Sequence, residues 1–127
     1  MTDVSLRILL IEDDPNLSSW LGRALTRHGY AVTIANNGVE GLRAFRANTF
    51  DLIITDVVMP DIEGLHVIRQ VARHPSTPPI IAMSGGGFGP AGTYLELAAR
   101  FGAAATLEKP FREPELLDAI RSATGLN

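Results

Sequence analysis

Short runs of apolar, mostly branched residues alternate along the chain with longer stretches in which apolar positions return every three or four residues. The runs at 6–11, 30–35, 52–55, 79–83 and 103–107 are four to six residues long and apolar on both faces, the pattern of buried parallel strands. Between the first two, Leu17, Trp20, Leu21, Ala24, Leu25 and His28 keep helical spacing, with Asp14 placed as N-cap, Pro15 at the first helical position and Gly29 just past the end. The same periodicity predicts helices at about 39–47, 65–73, 94–101 and 115–123.

Five strand-then-helix units in a row define an α/β class, because each helix must return the chain over one face of a parallel sheet. Right-handed crossovers then give a doubly wound sheet, and the flavodoxin-like strand order 2-1-3-4-5 is the common five-stranded solution. One stretch falls outside the pattern. Residues 85–93 carry Gly85, Gly86, Gly87, Gly89 and Gly92 together with Pro90, which predicts a loop of unusual conformational freedom after the fourth strand.

The chain has 127 residues, 46% of them hydrophobic, enough for one core, so residues 1–127 are expected to form a single domain with no effector domain attached. Cysteine is absent, which removes disulfides and thiolate metal sites and suits a reducing cytoplasm. The N-terminus lacks the basic-then-apolar layout of a signal peptide, and no apolar run is long enough to cross a bilayer. A net charge of -3 without any block of Lys or Arg argues against direct binding of nucleic acid, which depends on many phosphate neutralisations.

In an open parallel sheet, ligands bind beyond the carboxyl ends of the strands where the strand order reverses, here between the first and third strands. The first strand runs into Glu12, Asp13 and Asp14, and the third into Thr55 and Asp56. At least three carboxylates therefore meet in one crevice. Two of them about 5 Å apart repel by roughly 3 kcal/mol at an effective dielectric near 20, so the cluster implies raised pKa values or a bound cation. Oxygen-only ligation with few protein ligands suits Mg2+ that stays partly hydrated and is shared with a phosphate. Ser84 and Lys109 end the fourth and fifth strands at the same edge and add a hydroxyl and a cation. Together these groups fit phosphoryl transfer to a carboxylate: Asp56 as nucleophile, Glu12 and Asp13 on the metal, Ser84 and Lys109 on the phosphoryl oxygens.

The series Ile11-Glu12-Asp13-Asp14, Asp56 with Met59-Pro60 and Gly64, Ser84, and Lys109-Pro110-Phe111 resembles the receiver domains of response regulators over nearly the whole chain. The resemblance implies phosphorylation of Asp56 by a histidine kinase or a histidine phosphotransfer protein. It also implies that the backbone carbonyl of Val58 is a further Mg2+ ligand and that the output is contact with a downstream protein or a phosphorelay step. Three features depart from the family pattern. Ser84 stands where Thr is more common; Thr106 stands where a switching Tyr or Phe is usual; and the segment after Ser84 is longer and Gly-rich, as in some stand-alone receivers. These departures move the expected switch from an aromatic rotamer at Thr106 to the glycine-rich loop.

Blander readings compete at single positions. The acidic run at 12–14 could be a polar strand end with an N-cap, and Lys109-Pro110 a strand end with a turn; their joint placement with Asp56 carries the functional reading. Trp20 reads as core, and Pro60 and Gly64 as backbone geometry. His28, His66 and His74 have no metal-type spacing. An Mg2+-dependent phosphohydrolase with Asp56 as nucleophile would need an acid where Val58 stands, and a substrate cap. A flavin carrier of the same fold would set its flavin phosphate against the acidic loop after the first strand.

Overall fold

A computed structural model describes residues 6–57, 64–85 and 91–125, with only the backbone described at 91–94. The elements alternate throughout: β1 (Arg7–Ile11), α1 (Pro15–Arg27), β2 (Ala31–Ala35), α2 (Gly38–Ala47), β3 (Leu52–Asp56), α3 (Gly64–Ala72), β4 (Ile80–Ser84), α4 (Ala91–Phe101), β5 (Ala105–Glu108) and α5 (Glu113–Thr124). All strand pairs are parallel, and the order is 2-1-3-4-5, as the crossover rules require.

Side-chain alternation along the strands sorts the core into two layers. Ile8, Leu10, Leu52, Ile54, Ile81 and Met83 pack under Leu21 and Leu25 of α1 and Leu116 and Ile120 of α5. Leu9, Ile11, Ile53 and Ala82 face the other way, onto Leu42 of α2, Val67, Ile68 and Val71 of α3, and Ala98 of α4. The central strands β3 and β4 are buried at every position. The edge strand β2 is mostly exposed, because only β1 pairs with it.

Local chemistry sets the helix ends. Asp14 accepts the Asn16 N–H (2.9 Å) ahead of Pro15, and Gly29 takes φ +89° beyond the His28 cap. Asn37 caps α2 by accepting the Glu40 N–H (2.8 Å). The Glu115 carboxylate accepts the Arg112 N–H (3.0 Å) at the start of α5, and Gly125 ends that helix in the left-handed region.

Three expected starts move by two or three residues, those of α4, β5 and α5, the last of which begins at Glu113 and not at 115. Helix α4 begins at Ala91 and not at Tyr94; Gly92 costs little in a first turn, whose N–H groups have no intrahelical acceptor in any case. Of the expected glycine-rich loop, Gly85 is outside regular structure, 91–93 are helical, and Gly86, Gly87, Gly89 and Pro90 lie outside the described residues. Strand β5 begins at Ala105 and not at 103, because Ala103 donates its N–H to Ala98 (2.9 Å) and so completes the turn that ends α4.

Ile53 has no exposed surface and lies in the middle of β3, packed against the α2–α4 layer. Ile53→Ala is expected to cost about 2–5 kcal/mol through lost burial and a residual cavity, measured as a lower denaturant midpoint at unchanged slope.

Candidate functional site

Register brings the acidic residues together. Ile11 pairs with Thr55, so Glu12 and Asp56 follow side by side at the carboxyl edge of β1 and β3. Carboxylate oxygens of Glu12, Asp13 and Asp56 all lie within 4.8 Å of one another, with Glu12 and Asp56 buried and Asp13 exposed. The spacing fits one small hard cation with room for water on the Asp13 side.

Lys109 reaches the cluster from beyond β5. Its backbone N–H donates to the Ser84 carbonyl (2.8 Å), fixing the root of the side chain, and Gly85 lies against its aliphatic stem. The Lys109 Nζ donates to Glu12 Oε1 at 2.7 Å and lies 3.4 Å from Asp56 Oδ2. The other oxygen of Glu12 accepts the Asp14 N–H (3.0 Å). The Lys109–Pro110 peptide is cis.

Burial pushes the Glu12 carboxyl above its ordinary value, and the neighbouring Asp56 charge adds to this against the hydrogen bonds from Lys109 and Asp14. Burial lowers the Lys109 ammonium, but its hydrogen bond to Glu12 and the charges of Asp56 and Glu12 outweigh that and raise it. The cluster therefore holds a surplus of negative charge that one lysine only partly offsets.

Ser84 closes β4 at the same edge and is fully buried. Thr106 lies elsewhere: it pairs with Ala82, two positions before Ser84, and is exposed, outside the carboxylate cluster. Val58, Met59 and Pro60 lie outside the described residues. Gly64 proves to be a packing requirement at the site, since an added Cβ would sit 1.9 Å from the Asp56 carbonyl oxygen. Its N–H donates to Val57 O (2.7 Å), so α3 starts in direct backbone contact with the end of β3. Trp20 is half-buried against Phe111 (ring centroids 6.1 Å). It also lines a cavity of about 500 Å³ with Leu17, Phe111 and Lys109 beside the acidic cluster.

Two contacts were not foreseen from the sequence. The direct pairing of Glu12 with Lys109 depends on how far the lysine reaches over the ends of β4 and β3. Glu113 binds Arg27 (2.6 Å) and His28 (2.9 Å), joining the end of α1 to the start of α5 across 85 positions of sequence; no local pattern marks such a pair.

Residues 8–121 match the model of the response regulator receiver domain. The chain belongs to the response regulator receiver domain family. The response regulator ArlR of Staphylococcus saprophyticus is 36% identical over 117 residues, 91% of this chain and 51% of that protein. The chain thus spans about half the length of the curated relatives it matches. The receiver domain of a sensor histidine kinase from Pseudomonas aeruginosa was solved with a magnesium ion in its active-site cleft. It superposes with a TM-score of 0.84 at 26% identity, covering 96% of this chain and 99% of that one. The response regulator TrrA from Thermotoga maritima, solved with Mg2+ and BeF, gives 0.81 at 29% identity, with 93% and 98% covered. Receiver domains are the phosphoacceptors of two-component signalling, and these relatives do not favour the alternative of a phosphohydrolase.

Because the folded pKa of Glu12 is raised, its stabilising contribution is complete below its ordinary value of 4.5 and is lost as pH rises through the folded value. Metal-free protein should therefore lose thermal stability on this account as pH rises from 4.5 toward neutrality, and Mg2+ should reduce the loss. Glu113, whose pKa is lowered chiefly by His28, acts in the opposite sense, so the contribution is read as the difference between wild type and Glu12→Gln. Superimposable pH profiles for the two proteins would contradict the assignment.

Proposed function

We propose that Asp56 accepts a phosphoryl group from a histidine kinase or histidine phosphotransfer protein, in a site where Glu12, Asp13 and Asp56 hold Mg2+. The observation that carries this reading is the meeting of three carboxylates and one lysine amine at the carboxyl edge of β1 and β3. An Asp56 carboxylate oxygen attacks the donor phosphorus; a P–O bond forms, the P–N bond to the donor imidazole breaks, and the ring leaves with the bonding pair and takes up a proton. Mg2+, when bound, neutralises charge on the phosphoryl oxygens.

This chain's residues do the rest. Lys109 already lies between Glu12 and Asp56, so it meets the incoming dianion without travelling. Ser84, at the end of the adjacent strand, gives the acyl phosphate a hydroxyl donor. With that new acceptor, the end of β4 is drawn toward Asp56. Helix α4 moves with it, changing the surface offered to a downstream protein or to the next phosphorelay component. One charge-assisted hydrogen bond supplies part of the several kcal/mol such a shift needs, and Lys109 and the metal supply the remainder. The exposed Thr106 offers no aromatic ring to this switch.

Asp56→Asn should abolish labelling by radioactive acetyl phosphate, and Asp13→Ala or EDTA should reduce it at least tenfold; a persistent acid-stable label on the Asn variant would assign the chemistry to a hydroxyl instead. Hydrogen exchange with and without beryllofluoride should show protection rising mainly over residues 84–101. A response restricted to the neighbourhood of Thr106 would place the switch in β5.

A further inference from the structure

Among the described residues, two large hydrophobic side chains are strongly exposed, Ile34 at 43% and Val39 at 41%. Ile34 belongs to the edge strand β2, whose sequence Ala-Val-Thr-Ile-Ala carries no charge and no proline. Edge strands ordinarily carry a lysine, a proline or a bulge that blocks pairing with another chain, and this one is a short, uncharged, β-prone segment.

Its backbone is available on one side. The Ala31 N–H donates to Leu6 O (2.9 Å) and the Ala35 carbonyl accepts from the Glu12 N–H (3.1 Å), so the odd-numbered residues of β2 serve the ladder to β1. Alternation in a parallel ladder turns the N–H and C=O groups of Val32 and Ile34 to the open edge. The same two residues line a groove of about 550 Å³ against α1, with Ser19, Gly22, Arg23 and Thr26 opposite. Gly22 makes the groove possible, because an added Cβ would lie 3.0 Å from Ile34 Cδ1. Arg27 at the groove's end is engaged by Glu113. Arg23 forms no ion pair among the described residues, and no acidic residue lines the groove.

We infer that the open edge of β2 and the adjoining α1 groove form a docking site for an extended acidic segment of a partner protein. Such a segment adds a strand beside β2, places an apolar side chain against Val32 and Ile34, and sets a carboxylate on Arg23. Charge selects this occupant over a second copy of the chain: two copies paired edge to edge would bring their unneutralised Arg23 side chains onto one shared groove. The site lies on the β2 edge, with β1 between it and the acceptor strand β3.

The test uses the whole chain, isotope-labelled, and a blocked peptide Asp-Val-Asp-Ile-Asp-Val as probe. Saturable shifts should map to β2 and α1, with the amides of Val32 and Ile34 slowed in exchange at least tenfold. Arg23→Glu should weaken binding about tenfold. Ile34→Pro removes an outward N–H but no bond of the ladder, and should abolish binding with phosphorylation at Asp56 intact. Equal binding of a peptide with Lys in place of Asp, shifts elsewhere, no saturation, or sedimentation showing self-association through β2 would each overturn the proposal.

Discussion

The buried contact between Lys109 and Glu12 governs the arrangement of this site. Three carboxylates at the ends of two adjacent strands repel one another, and the lysine amine 2.7 Å from Glu12 and 3.4 Å from Asp56 keeps that repulsion within bounds. Removing either partner unbalances the site, and only the Asp56 carboxylate at 3.4 Å from Lys109 or the Asp14 N–H on Glu12 would then remain to compensate. The contact therefore ties β5, which contributes little buried surface of its own, to the centre of the sheet. The residual negative charge suits a divalent cation, and such a cation together with Lys109 would offset the charge of an incoming phosphoryl group.

That electrostatic arrangement needs a rigid base. Strands β3 and β4 are buried along their full length, held between the α1–α5 layer and the α2–α4 layer. Asp56 and Ser84 end strands covered on both faces, so acceptor and hydroxyl start from defined neighbouring positions at one edge.

Much of this was legible in the sequence because the fold's constraints are periodic. Apolar runs on both faces mark strands of a covered parallel sheet, and strand order then decides which strand ends are neighbours; Glu12, Asp13, Asp56 and Lys109 could be grouped on that basis. Caps at Asp14 and Gly29 were equally local. What escaped depends on three-dimensional reach. The length of the lysine arm made Glu12 its direct partner, and the bond from Glu113 to Arg27 and His28 joins distant segments that share no pattern. The shifted element starts at Ala91, Ala105 and Glu113 reflect first-turn tolerance and capping hydrogen bonds that composition does not encode.

The contact of Gly64 with the Asp56 carbonyl also bears on how an event at the acceptor spreads. At most protein contacts, side chains separate two backbones, and their rotamers absorb small displacements. Here the first residue of α3 has no side chain and touches the main chain of β3 directly. A shift of the acceptor strand is therefore passed to α3 without loss, as through a bearing with no play. Any side chain at this joint would drive a Cβ into the Asp56 carbonyl, a constraint that the exposed positions His66 and Arg69 of α3 do not share.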